Sequence, residues 1–174
     1  MFQAQSRRRE QLQNGEAASD RIELPWSDGY FAQLGLVLGV TYRSAAVLTG
    51  GADAPEPPDA GTEYVPTPEP GHRMPHLWLT PDHSTIDAVG EWFTLLTPDP
   101  DPWKRCVSPP WPLRVEPLPA EHLDACELSP HGALLIRPDG HIAARWPDGP
   151  PADSALRNAL ATLTGTGSDG RPYA

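Results

Sequence analysis

Two apolar runs, Gly132–Arg137 (GALLIR) and His141–Trp146 (HIAARW), are separated only by Pro138-Asp139-Gly140. Asp-Gly readily supplies the positive φ angles of a tight turn, so this pattern predicts an antiparallel hairpin. Trp92–Leu96 (WFTLL) is a continuous apolar run bounded by Pro98, and its length predicts a strand buried on both faces. Leu113 to Leu118 alternates well enough for a second strand, and the Pro-rich crossover between the two, which contains Trp103, is long enough for a parallel connection. Upstream, Leu77–Leu79 predicts a short strand, and Ser84 is placed to cap a turn of helix through Ile86, Ala88 and Val89, ended by Gly90. At the other end, Asp153 or Ser154 caps a helix with Ala155, Leu156, Ala159, Leu160 and Leu163 on one face and Gly165 as its stop. Strand, crossover, strand, hairpin and closing helix is the order of an α/β, thioredoxin-like domain with a mixed sheet, a parallel crossover, a C-terminal β-hairpin and an irregular N-terminal extension. Ser129-Pro130 stands where such folds often place a cis proline; trans is the commoner X-Pro isomer, and the sequence alone does not set it.

Around this domain, assigned to residues 71–165, the chain changes character. Residues 1–29 are polar, carry Arg7, Arg8 and Arg9, and read as a flexible extension. Residues 30–70 begin with apolar Phe31, Leu34, Leu36, Val37 and Leu38, continue through an extended segment from Val40 to Leu48, and pass into a linker rich in Gly, Pro and acids. Residues 166–174 read as a flexible tail. The 23 prolines, with the glycines, favour long irregular connections over a helical bundle. A formal charge of −10, with Lys104 the single lysine, opposes binding to nucleic acid or to anionic membrane. No apolar stretch approaches the roughly 20 residues of a membrane helix, and the N-terminus lacks the apolar core of a secretory signal, so the cytoplasm is the expected compartment. There Cys106 and Cys126 are expected as free thiols.

Three segments carry more than fold class: Leu34–Val47 (LGLVLGVTYRSAAV), Pro70–Leu96 (PGHRMPHLWLTPDHSTIDAVGEWFTLL) and Arg137–Arg145 (RPDGHIAAR). The series Gly71-x-Arg73-x-Pro75-His76-x-Trp78-Leu79, then Ser84-Thr85-x-Asp87 and a Gly-x-x-Phe-x-Leu-Leu strand, resembles the C-terminal region of FAD-dependent aromatic hydroxylases of the phenol and aromatic-polyketide type. The resemblance covers about residues 30 to 164. It implies a large flavin domain that binds FAD and NAD(P)H, followed by a thioredoxin-like domain of largely structural role, of which only the latter matches here. Leu34–Val47 would correspond to the end of the flavin-containing portion. A flavin site of that kind depends on a Gly-rich turn between a strand and a helix; no such turn is legible, so no cofactor is expected to bind this chain alone. The segment Thr97–Cys106 is shorter and richer in proline than the family's crossover, which argues against a helix there.

Candidate chemistry is sparse. A redox dithiol needs two cysteines two residues apart at the start of the first helix, whereas Cys106 stands alone and Cys126 is far away in sequence. His72 and His76 have helical i, i+4 spacing, but Pro75 between them opposes a helix, so no metal site is expected; His72, Arg73 and His76 are expected to fix a loop or to face a partner domain. Asp82-His83-Ser84 contains the residue types of a hydrolase triad, but neighbours in sequence diverge in space, so a turn and a helix cap are expected. Trp78, Trp92, Phe93, Trp103, Trp111 and Trp146 are expected mainly in the core. Trp78, Trp103 and Trp111 join His72, Arg73 and His76 as interface or ligand-facing candidates, with no catalytic residue assigned. The functional expectation is an accessory or interaction module that acts with a flavin monooxygenase or as a homo-oligomer. The alternative is a small stand-alone enzyme or binding protein for aromatic polyketide-like ligands, through a pocket around His72, His76 and the tryptophans.

Overall fold

The computed structural model describes residues 34–49, 64–106, 112–152 and 154–166. The expectations for residues 1–29, for the linker between 50 and 63, for Trp111, for Asp153 and for the tail beyond Thr166 lie outside the described residues.

A four-stranded mixed sheet organises the domain. Strand β3 (Phe93–Thr97) pairs in parallel with β4 (Leu113–Pro117) on one side and antiparallel with β5 (Ala133–Ile136) on the other. Strand β5 then pairs antiparallel with β6 (Ile142–Trp146), giving the order β4-β3-β5-β6. Before the sheet come a five-residue helix α1 (Leu34–Leu38), a small antiparallel ribbon of β1 (Trp78–Thr80) and β2 (His83–Ser84), and the one-turn helix α2 (Thr85–Ala88). Helix α3 (Pro100–Arg105) joins β3 to β4, a 3₁₀ turn leads into α4 (Leu123–Cys126), and α5 (Ala155–Thr164) closes the fold. The expected α/β fold class, with parallel crossover, hairpin and closing helix, is what the chain adopts.

The burial of the two central strands explains their continuous apolar runs. Successive strand side chains point to opposite faces. Leu96, Leu134, Ile136 and Ile142 therefore join Met74, Leu79, Ala88, Cys126 and Leu128 on one side. Leu95, Ala133, Leu135 and Ala143 join Trp103, Cys106, Leu156, Ala159 and Leu160 on the other. Each fully buried Leu or Ile contributes about 1.5–3 kcal/mol by leaving water, so these two layers dominate stability. The two cysteines belong to opposite layers and cannot meet.

Several local expectations are corrected. A helix does span the Pro-rich crossover, because Pro100 occupies its first turn, where the missing N–H costs nothing, and Lys104 and Arg105 stand at its C-terminal end. The apolar run Leu34–Leu38, given no element in the sequence, is a short helix closed by Gly39 N–H donating to Gly35 O at 2.9 Å, and the extended reading of Val40–Leu48 is interrupted by a turn in which Val47 N–H donates to Ser44 O at 3.0 Å. The hairpin turn uses one positive φ, at Gly140 (+80°), while Asp139 keeps a negative one. Gly140 N–H bonds Arg137 O at 2.9 Å, Arg137 N–H bonds His141 O at 2.8 Å, and the ladder shifts register between Leu135 and Ile136. This is a wider loop than a two-residue turn. Ser129–Pro130 is trans. Gly165 ends α5 in a left-handed conformation, as expected.

Candidate interface at the strap and hairpin

Residues 41–48 and 71–74 form a strap along the outer edge of β6. Gly71 N–H donates to Ile142 O and Ile142 N–H to His72 O, both at 2.8 Å; Met74 N–H reaches Gly140 O at 2.9 Å and Leu48 N–H reaches Ala143 O at 2.7 Å. Arg73 and His141 face each other in an antiparallel bridge. The strap is itself tied together by Tyr42 N–H donating to Gly71 O at 2.9 Å. Only glycine suits position 71, where φ is +95° and an added Cβ would stand 2.5 Å from Tyr42 O.

This backbone frame gathers a polar and aromatic cluster at the hairpin turn. The rings of Tyr42 and His141 meet edge to face at 4.5 Å, and the Arg137 guanidinium lies 5.1 Å from the Tyr42 ring centroid. Arg137 Nη2 donates to Asp139 Oδ2 at 2.6 Å, and the other Asp139 oxygen accepts from His141 N–H at 3.2 Å. Burial pushes the His141 imidazole below its ordinary pKa; Asp139 opposes that shift and the nearby Arg73 adds to it. Burial likewise lowers His72, whose ring nitrogens lie 3.5 Å from Thr41 Oγ1, and raises Tyr64 against the pull of Arg73. His141 Nε2 and Arg73 Nε are buried and have no partner among the described residues. Arg145 clamps the strap from below, binding Glu69 at 2.5 Å and also Glu127.

Sequence reasoning brought His72 and Arg73 to this cluster but missed Tyr42, Arg137, Asp139 and His141 as their companions. The signal was present in the RPDGH turn, because a hairpin end that pairs with Arg73 must carry its flanking side chains to the same place. His76 and Trp78 lie beside it, with rings at 5.1 Å and Trp78 54% exposed. His122 Nε2 lies 2.8 Å from Trp78 O and anchors that strand. Trp103 is corrected outright: it is wholly buried, with its indole N–H donating to His131 O at 3.1 Å, and faces neither solvent nor ligand.

The alternative chemistries find no geometry among the described residues. His72 turns to Thr41 and His76 to Trp78, and no group of three His, Cys, Asp or Glu gathers as metal ligands. Asp82 accepts from Thr80 Oγ1 at 2.8 Å, while the Ser84 hydroxyl and N–H both donate to Asp87, at 2.6 and 2.8 Å. Those contacts make a turn and a helix start, and hold Asp87 below the usual carboxylate range. Cys106 lies at the C-terminal end of α3, not its start, and burial pushes the Cys126 thiol up to about 11. The turn from β3 into α3 is Pro98-Asp99-Pro100, two residues without an N–H around a carboxylate, which does not fit a flavin pyrophosphate. A GxGxxG string does occur at Gly165-Thr166-Gly167-Ser168-Asp169-Gly170; it begins at the C-cap of α5, no strand leads into it, and Gly167 onward lies outside the described residues. No described helix is long and apolar enough to cross a membrane.

Comparison with known proteins adds a consistent set of relatives. The family described as aromatic-ring hydroxylase, C-terminal, matches residues 67–167. Tetracenomycin A2 monooxygenase-dioxygenase of Streptomyces glaucescens is 34% identical over 151 residues, covering 74% of this chain and 26% of that protein. The FAD-dependent monooxygenase apdD of Emericella nidulans is 30% identical over 127 residues, covering 67% and 20%. Among solved structures, the flavin-dependent monooxygenase PieE, in complex with FAD and substrate, superposes with a TM-score of 0.65 at 31% identity, covering 76% of this chain and 26% of that one. RebC with bound 7-carboxy-K252c gives 0.63 at 30% identity, covering 81% and 26%. The chain thus spans about a quarter of the length of these relatives.

Proposed function

The chain belongs to the aromatic-ring hydroxylase family through its C-terminal region, and from that premise we propose that it is a non-catalytic accessory module that docks on a flavin monooxygenase. The observation that carries this reading is where its exposed apolar surface falls. Among the described residues the exposed large hydrophobics are Val37, Val40, Tyr42, Val65, Trp78, Ile86 and Trp92. All stand ahead of β3 in the chain, in α1, in or beside the strap, in the small ribbon, in α2 or just before β3; none stands on β4, β5, β6 or α5. Exposed apolar side chains confined to one part of the chain suit a contact surface. His76 and Trp78 are open to solvent and do not enclose a cavity, which favours a partner over a ligand at that place. In this reading FAD binds the partner, the scaffold is thioredoxin-like without a redox role, and the setting is the cytoplasm.

The test is co-expression of the chain with the flavin-binding portion of an aromatic hydroxylase, followed by size exclusion with absorbance at the flavin band. Co-elution that Trp78→Ser weakens severalfold is expected. Stoichiometric quenching of FAD fluorescence by the chain alone, or turnover of an aromatic substrate by a monomer, would overturn it.

A further inference from the structure

The end of the sheet opposite the hairpin turn carries a second feature. There β3 runs out at Thr97, β5 enters at Ala133 and β6 leaves at Trp146. Between their loops lies an open groove of about 660 Å³, lined by Asp99, Pro102, His131, Trp146, Asp148 and the proline-rich strap that follows. Loops at a sheet end often leave a depression, so volume alone decides nothing.

Three observations distinguish this groove. First, it lies past the carboxyl end of β3, between the start of the crossover helix α3 and the loops that lead into β5 and out of β6. Second, its walls are fixed in advance. Trp146 rests on buried Trp103 with centroids 5.2 Å apart, and the Trp103 indole holds the His131 carbonyl. Ser129 N–H donates to Pro147 O at 2.8 Å, and Gly149, at φ +120°, packs so close to His131 O that an added Cβ would stand 3.3 Å from it. Prolines 102, 147, 150 and 151 add surface that loses little freedom on binding. Third, its ionisable groups are two carboxylates and one imidazole. Asp99 Oδ2 meets His131 Nδ1 at 3.1 Å, while Asp148 has neither an ion pair nor a hydrogen bond to any described residue.

We propose that this groove binds a small organic cation, a protonated amine or guanidinium carried on an apolar, ring-sized body. The body lies on Trp146 and the prolines, and the charge sits between Asp148 and the Asp99–His131 pair. Indole, carboxylate and proline together favour a cation that is only partly stripped of water, the setting in which aromatic faces contribute. A neutral ring would leave Asp148 uncompensated, and an anion would be repelled. The site is independent of the surface assigned to the flavoprotein, so either assignment can fail without the other.

The experiment is a ¹⁵N NMR titration of the whole chain with benzylamine, protonated at neutral pH, and with benzyl alcohol as its neutral counterpart. Benzylamine is expected to shift the Trp146 indole and the amides of His131 and Gly149 with a millimolar Kd, and benzyl alcohol to bind at least about tenfold more weakly, as a lost charge contact of modest size requires. In Asp148→Asn the preference for the amine should fall to within about threefold, with amides elsewhere unmoved. Equal binding of amine and alcohol, shifts confined to other parts of the domain, or an unchanged preference in D148N would each overturn the proposal.

Discussion

Replacing Gly71 by alanine is expected to uncouple the strap from the sheet. At φ +95° an L-residue is strained, at a cost of about 1–3 kcal/mol. The added methyl would also stand 2.5 Å from Tyr42 O, and relief requires Tyr42 to retreat. That retreat stretches the Tyr42 N–H to Gly71 O bond, worth about 0.5–1.5 kcal/mol. Together they predict a destabilisation of about 2–4 kcal/mol, equivalent to a fall in Tm on the order of 10 °C for a domain of this size. The assay is urea unfolding followed by tryptophan fluorescence, with an unchanged m value as evidence that the same surface unfolds. Gly90→Ala is the internal control, because nothing lies within 4 Å of its Cβ position and its φ is not in the left-handed region. If the two variants unfold within about 0.5 kcal/mol of each other, the strap is not held as argued here.

Other consequences are as direct. Thr97 Oγ1 is buried and donates to Gly132 O at 2.8 Å, so Thr97→Val is expected to cost about 1–3 kcal/mol by leaving that carbonyl without its donor, again read from urea midpoints. Cys126 should resist thiol reagents in the native protein and react on unfolding. Because its folded pKa is raised, its contribution to stability is full below the unfolded value near 9 and is lost as pH climbs toward about 11, which unfolding midpoints across that range would reveal. His72 and His141 have lowered folded pKa values, so the stability they contribute is present above the ordinary imidazole range and declines as pH falls through it. A double variant, His72→Gln with His141→Gln, should flatten the pH dependence between neutrality and mild acid; an unaltered slope would count against these histidines.

The parts of the fold legible in the sequence were those where one signal sufficed. The runs WFTLL and GALLIR state burial on both faces, because no polar alternate interrupts them, and both became central strands. Ala155 to Gly165 supplied an apolar face and a left-handed stop, and the helix followed. The crossover was misjudged because proline was weighed as a breaker without regard to position, and Pro100 stands where a helix tolerates it. Leu34–Leu38 is not legible because so short an apolar run fits either period, and the bond from Gly39 N–H to Gly35 O decides between them. At the interface, His72 and Arg73 were legible from the Gly-x-Arg-x-Pro-His series. Arg137, Asp139 and His141 lie far downstream in sequence and Tyr42 well upstream, and only the pairing of the strap with β6 brings them together. Trp103 shows the same limit: composition made it a candidate for contact, and its bond to His131 makes it core.

The bonds from Gly71, His72 and Met74 to the hairpin bear on how such a unit is cut free of a longer polypeptide. The natural scissor line suggested by the core, just ahead of the β1–β2 ribbon, would strip β6 of its outer neighbour and leave a row of idle amides and carbonyls seeking any extended chain. A version begun there should form ladders between molecules, whereas one begun ahead of Thr41 keeps its border sealed. The lead-in is thus the selvedge of the sheet, and it has to travel with the cloth.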